Sequence, residues 1–121
     1  VEIMADLTLQ NLQAALPAGT VVEDSPNNDV TISLKALTGE TAVALSDELV
    51  SEALTKLLSG ASAAQSAYNT ADPAPANQLT GFPLPTRGNP VTDALGRVIS
   101  VKTHTVRVAV PVDEDSTTGA I

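Results

Sequence analysis

The fold is decided by residues 46–68, which read SDELVSEALTKLLSGASAAQSAY. Apolar residues recur there every three or four positions, the period of a helix that buries one stripe. The stripe consists of Leu49, Val50, Ala53, Leu54, Leu57, Leu58, Ala61, Ala64 and Tyr68. Ser46 is the expected N-cap, followed by Asp47 and Glu48 where the helix dipole favours negative charge. Gly60 interrupts the pattern, which indicates that another backbone approaches closely there or that the last turns are loosely held.

On the N-terminal side, the sequence predicts a short helix and a hairpin. Residues 7–17 place three leucines on one helical face, with Thr8 as N-cap and Pro17 as the stop. A helix this short must dock on the rest of the chain to be stable. Residues 20–22 and 30–34 read as two strands, and Val30, Ile32 and Leu34 alternate with polar residues. This alternation predicts a half-buried antiparallel pair.

Beyond the long helix, residues 69–90 form a Pro-rich arm. Five prolines and two glycines in this segment exclude a regular element, because proline fixes φ and lacks an N–H donor. The arm nevertheless carries Leu79, Phe82 and Leu84, apolar side chains that a free linker would not need. Long segments without secondary structure in a compact domain are usually functional or linkers.

The C-terminal part is β-rich over residues 97–112 and ends in an acidic tail at residues 113–121. The apolar parity switches near residues 102–105, which predicts a bulge, a bend or a change of strand neighbour. We therefore expect one α+β domain over residues 1–121. It would contain a short N-terminal helix, a long amphipathic helix at about 46–68, a small antiparallel sheet and the extended Pro-rich arm.

Composition excludes several classes of function. The chain has 121 residues, a net charge of −8, no cysteine and only 2% aromatic residues. The negative charge opposes binding to nucleic acid or to an anionic membrane, and the lack of cysteine excludes disulfides and thiolate metal sites. Neither a membrane-spanning run nor a signal-peptide pattern is apparent, so we expect the chain to be made in the cytoplasm.

Catalytic chemistry has little support in the sequence. The sequence contains a single histidine, His104, and no nucleophile motif that this histidine could activate as a base. We interpret His104 as a strand surface residue. The acidic tail lacks the closing Glu of a calcium loop. We therefore expect no enzymatic activity, no cofactor and no metal site. A small enzyme acting from an oligomer interface would need Asp93 or Glu52 to converge with His104.

A small aliphatic core, stiff arms and few reactive groups are typical of a subunit of an assembly. The contacts that we expect are Leu79, Phe82 and Leu84 of the arm. A second set is Val106, Val108 and Val110, from a strand whose edge can pair with a neighbour. The alternative is a monomeric adaptor that binds a peptide or protein beside the long helix.

Three segments carry a resemblance to a known class of protein. They are ADLTLQNLQAALP at residues 5–17, FPLPTRGNP at 82–90 and VRVAVPV at 106–112. In general style the chain resembles small virion structural proteins of tailed phages, and the head-decoration (cement) type is the most similar. This resemblance implies a homo-oligomer, often a trimer, that binds copies of itself or a major capsid protein and is located in the virion. It transfers no site residue.

Overall fold

The structure, a computed structural model, describes residues 6–71 and 73–108. Within these residues the helices are α1 (Leu9–Ala15), α2 (Leu34–Thr38) and α3 (Val50–Asn69). The strands are β1 (Val21–Asp24), β2 (Asp29–Ile32), β3 (Thr86–Arg87), β4 (Val91–Thr92), β5 (Val98–Ile99) and β6 (Lys102–Thr103). The predicted α+β class is confirmed. The antiparallel strands form three separate pairs, β1–β2, β3–β6 and β4–β5.

Helix α1 begins where the sequence predicts, because Thr8 caps it. The Asn11 N–H donates to Thr8 Oγ1 at 3.1 Å, and the Thr8 N–H donates to Asn11 Oδ1 at 2.9 Å. This reciprocal capping box satisfies two donors that the helix leaves free. At the other end Leu16 is already extended, although its N–H still donates to Leu12 O at 3.1 Å.

The predicted hairpin is present as β1 and β2, which are joined by a short 3₁₀ turn at residues 25–27. Its predicted burial is wrong, since Val30, Ile32 and Leu34 are all exposed. Helix α1 packs on β1 and buries Val21, whereas the residues of β2 remain in solvent. Leu34 does not continue the strand but opens α2, because Ser33 Oγ caps that helix by accepting the Ala36 N–H.

Helix α3 begins later than predicted, and Ser46 is not its N-cap. Asp47 closes a turn instead: its carboxylate accepts the Ala44 N–H at 2.7 Å, and its own N–H donates to Ala44 O at 3.0 Å. The helix therefore begins at Val50, with Leu49 as an N-cap that makes no side-chain bond. The apolar stripe is only partly buried. Its alanines at 53, 61 and 64 are covered, but Val50 is 72% exposed and Leu54 is 54% exposed.

The hydrophobic core lies where α1 and α2 pack against α3. Its buried members are Leu16, Val21, Leu37 and Ala53, with Leu12 and Leu57 packed against them. Gly60 is a point of close approach, but the predicted approach of another backbone is wrong. The neighbour is the Leu16 side chain rather than a backbone.

Residues 86–103 form a two-stranded antiparallel ribbon, which we call the ribbon. Three residues separate β3 from β4, but only two separate β5 from β6. The extra residue makes a bulge near Gly88, whose N–H donates to Val101 O at 2.8 Å. The predicted irregularity therefore lies at residues 100–101, opposite the bulge, and not at 102–105.

The prediction that residues 69–90 contain no regular element is wrong at both ends. Asn69 is the last residue of α3, and Thr86 and Arg87 form β3. Pro90 is tolerated because it falls in the bulge, where the position needs no ladder donor. The predicted strand over 97–112 ends at Thr103, and its residues 109–112, with the acidic tail 113–121, lie outside the described residues.

Candidate interaction surface

Helix α3 holds the Pro-rich arm through side chains that bond to the arm's backbone. The Asn69 carboxamide accepts the Leu79 N–H and donates to Leu79 O, both at 2.9 Å. Gln65 binds the backbone of Phe82 in the same way: its carboxamide accepts the Phe82 N–H at 2.9 Å and donates to Phe82 O at 3.1 Å. A carboxamide offers one acceptor and paired donors, so it replaces the neighbouring strand that the arm lacks.

Ser62 completes this set, which we call the clamp (Ser62, Gln65 and Asn69). Its hydroxyl lies 3.0 Å from Phe82 O and 3.1 Å from the carbonyl of Pro83. The three residues are spaced i, i+3 and i+7, which places them on one face of α3. The clamp binds only backbone atoms, so it fixes the path of the arm rather than its side chains.

The other side of the arm contacts the residues that follow the ribbon. The Arg107 N–H donates to Gly81 O at 2.8 Å, and a β-carbon at Gly81 would lie 3.0 Å from Arg107 O. Glycine at this position therefore permits the close approach. At Phe82 and Gly81 the arm thus lies between α3 and Arg107.

The predicted contact residues are found in different environments. Leu79 is buried within its own chain, Phe82 is half-buried, and Leu84 is 80% exposed. Val106 and Val108 are exposed, and Val110 lies outside the described residues. The role of these residues in binding a partner stays a prediction.

The clamp was not predicted from the sequence. A usable signal was present, because polar residues at 62, 65 and 69 lie beside Ala61 and Ala64 on a helix. A proline-rich segment that cannot pair with itself follows directly. Polar side chains at helical spacing next to such a segment are candidates to bind its backbone.

The ribbon is exposed on both faces. Every side chain of its four strands is exposed. Its large apolar side chains in solvent are Val91, Leu95, Val98, Ile99 and Val101. Val91 and Ile99 lie opposite each other across β4 and β5 and share one face of the ribbon, whereas Val98 lies on the other face. Exposed apolar side chains that cluster on one face mark interaction sites more often than isolated ones do.

The ribbon turn is built around Asp93. Its Oδ1 accepts the N–H groups of Leu95 and Arg97, both at 2.9 Å, and its Oδ2 accepts Arg97 Nε at 2.7 Å. The hydrogen bond from the Arg97 N–H is the main reason that the pKa of Asp93 lies below its usual value. Partial desolvation of the carboxylate raises this pKa, whereas the bonds from the Arg97 side chain and the Leu95 N–H lower it further. Gly96 has φ +80°, which glycine adopts without strain.

The three residues considered for catalysis are placed on separate elements. Glu52 pairs with Lys56 on α3 at 3.0 Å, and Asp93 pairs with Arg97 in the ribbon turn. His104 follows β6 and is half-buried, so the interpretation as a strand surface residue is wrong. Its Nε2 is buried and has no hydrogen-bond partner among the described residues.

The described parts of the chain show no sign of a metal site or of a membrane-spanning helix. Residues 6–71 and 73–108 contain no cluster of three or more histidine, aspartate or glutamate side chains arranged to hold a metal ion. Among the helices in those ranges, none combines the length and the apolar character needed to cross a bilayer. Comparison with protein families, curated proteins and solved structures finds no significant match to the chain.

Proposed function

We propose that the chain is a non-enzymatic structural subunit of a larger assembly, and more specifically a capsid decoration (cement) protein of a phage virion. The observation that carries the proposal is the exposed apolar surface of the ribbon. Val91, Leu95 and Val98 are 57%, 76% and 74% exposed. Covering one such side chain is worth about 1.5–3 kcal/mol, so a partner that covers the ribbon gains a substantial driving force.

The form of the ribbon supports the same conclusion. An isolated two-stranded hairpin is marginally stable in water. A partner that packs on the ribbon would bury its apolar side chains and stabilise its strands together. Leu84, Val106 and Val108 add further exposed apolar surface that a partner can cover.

The assignment to a virion rests on the resemblance of residues 5–17, 82–90 and 106–112 to small phage structural proteins. Under this proposal the partners are copies of the chain and a major capsid protein. The clamp would keep the arm in one path, so that each copy presents the same surface to its neighbours.

The test is the solution mass of the purified chain at micromolar concentration, measured by light scattering together with amide hydrogen exchange. We expect a trimer or larger species in which the amides of residues 86–103 exchange slowly. A monomer whose ribbon exchanges rapidly, and slows when capsid particles are added, also supports the proposal. A monomer with a slowly exchanging ribbon, indifferent to particles, overturns it and favours the monomeric adaptor.

A further inference from the structure

Two pairs of like charges face each other across strands. In the β1–β2 hairpin Asp24 lies directly opposite Asp29, and in the ribbon Arg87 lies directly opposite Lys102. None of the four forms an ion pair within the described residues. Like charges at opposite positions destabilise an antiparallel pair. Within residues 6–71 and 73–108, each pair therefore has no counter-charge in contact to relieve its repulsion. The acidic pair and the basic pair are opposite in sign, so each could supply the counter-charge of the other.

The same separation of charge holds between residues 6–71 and residues 73–108, while the tail at residues 113–121 is acidic again, with three carboxylates. Residues 6–71 contain eight carboxylates and two lysines, a net charge of −6. Residues 73–108 contain four cations and one carboxylate, a net charge of +3. A chain divided in this way attracts a second copy when the positive part of one faces the negative part of the other.

The acidic pair also lines an open depression whose walls are mostly polar but include two apolar side chains. The depression of about 570 Å³ is lined by Asp24 and Asp29, by Glu23, and by the apolar side chains of Leu9 and Val30. Leu9 is 55% exposed, although it belongs to α1. The ribbon carries exposed valines on the strands next to its basic pair, so it matches the depression in both charge and polarity.

We propose that the chain associates head to tail, with the ribbon of one copy docked on the β1–β2 hairpin of the next. Arg87 and Lys102 of the first copy would pair with Asp24 and Asp29 of the second, and apolar ribbon side chains would cover Leu9 and Val30. The contact is heterologous, so each copy keeps one free surface of each kind, and repetition builds a ring or a filament. This inference rests on the proposed function and names its contact.

The test uses charge reversal. One variant carries Asp24→Lys and Asp29→Lys, and a second carries Arg87→Glu and Lys102→Glu. Each variant gives both surfaces the same sign, so we expect its self-association to weaken by about tenfold or more in sedimentation at low salt. An equimolar mixture should associate again, because the surfaces of the two variants are then complementary. The natural chain should associate less at 0.5 M salt, which screens exposed charges.

A matched control separates local contact from net charge. Glu40→Lys with Glu48→Lys changes the net charge as much as the acidic-pair variant, on exposed residues outside the depression. We expect this control to associate like the natural chain. Asp24→Asn with Asp29→Asn should also weaken association, and this second variant tests the acidic pair if the lysine substitutions disturb the turn.

The outcomes distinguish this contact from the proposed function. Association of the natural chain that persists undiminished in all the charge variants overturns the head-to-tail contact but leaves the assembly role standing. Failure of the equimolar mixture to associate again also overturns the contact. A natural chain that stays monomeric at low salt overturns the head-to-tail contact, and if it also binds no particle it overturns the proposed function as well.

Discussion

Residue 60 is glycine because the side chain of Leu16 occupies the place of a β-carbon. A β-carbon there would collide with Leu16 Cδ2 and would lie 3.0 Å from Leu16 Cγ. Replacing Gly60 with alanine gains about 1 kcal/mol of helix propensity, but overpacking a core costs about 1–3 kcal/mol. We therefore expect Gly60→Ala to lower the free energy of unfolding by about 1 kcal/mol, as measured by urea denaturation.

A change of sign separates the packing effect from the propensity effect. In a Leu16→Ala background the collision is absent, so Gly60→Ala should now raise the free energy of unfolding by up to about 1 kcal/mol. The coupling between the two substitutions is the measured quantity. Equal effects of Gly60→Ala in both backgrounds would contradict the packing at this position.

Asp93 gives the ribbon turn a dependence on pH. The hydrogen bond from the Arg97 N–H, with those from the Arg97 side chain and the Leu95 N–H, favours the ionised carboxylate and lowers its pKa. The stabilisation that this gives is present above the ordinary Asp pKa of about 3.9 and is lost as the pH falls through the lower folded value. We expect the amide shifts of Leu95 and Arg97 to titrate together below that ordinary value.

The matched variant for this turn is Asp93→Asn, which keeps an acceptor but cannot ionise. Its Leu95 and Arg97 amide shifts should not show the titration. A midpoint at or above the ordinary Asp pKa in the natural chain would show that the turn does not favour the carboxylate.

At the scale of elements, the clamp decides whether the arm stays on α3. Gln65→Leu removes both bonds to Phe82, and Asn69→Leu removes both bonds to Leu79. Each lost bond costs about 0.5–1.5 kcal/mol, so either substitution should lower the free energy of unfolding by about 1–3 kcal/mol. Amide exchange of the arm residue that loses its bonds should accelerate in the same variant.

Ser66→Ala is the control for the clamp, since Ser66 is an exposed residue of the same helix and lies between Gln65 and Asn69. Its effect on stability should stay within about 0.5 kcal/mol, and the exchange of the arm should not change. Normal exchange at Phe82 in Gln65→Leu would show that the arm does not depend on the clamp.

The elements that the sequence predicted well are those fixed by neighbours in the chain. Thr8 caps α1 through Asn11, three residues away, so the local pattern was sufficient. The start of α3 was wrong because Asp47 can serve a helix or a turn, and the bond to Ala44 favours the turn. The pattern of residues along the sequence does not show whether Asp47 stabilises the start of a helix or closes a turn.

The clamp and the bulge of the ribbon depend on contacts distant in sequence. Gln65 reaches Phe82, 17 positions away, and the bulge appears only when β3 is aligned with β6. The spacing of apolar residues along the sequence predicts neither the contact between Gln65 and Phe82 nor the pairing of β3 with β6. The burial of β2 was overestimated for a related reason, because alternation shows which face is apolar but not whether anything covers it.

At the scale of the whole molecule, the chain divides into a part with a core and a part without one. The four residues of the core cluster come from positions 16–53, and the other buried apolar residues of the described chain are Ala61, Ala64 and Leu79. No described residue of the ribbon is buried, although the ribbon is rich in valine. A natural sequence that keeps valines in solvent on a marginal hairpin fits a surface that is covered when the chain assembles.

This division predicts that substitutions of exposed ribbon residues weaken self-association while leaving the stability of the single chain nearly unchanged. Val91→Thr with Val98→Thr keeps the β-branched shape while removing apolar surface. Because both residues are exposed in the single chain, the free energy of unfolding of the monomer should change by no more than about 0.5 kcal/mol per site. Self-association, followed by sedimentation across a dilution series, should weaken clearly.

Val21→Thr is the contrasting substitution, because Val21 is 5% exposed and belongs to the core. Burying an unpaired hydroxyl there should cost about 1–3 kcal/mol of stability. If the ribbon variant lost as much stability as Val21→Thr, its valines would have to pack within their own chain. If it kept both its stability and its association, another surface would hold the copies together. Loss of association without loss of stability would assign the ribbon to contacts between molecules, because only an assembled state then contains the environment that its valines require.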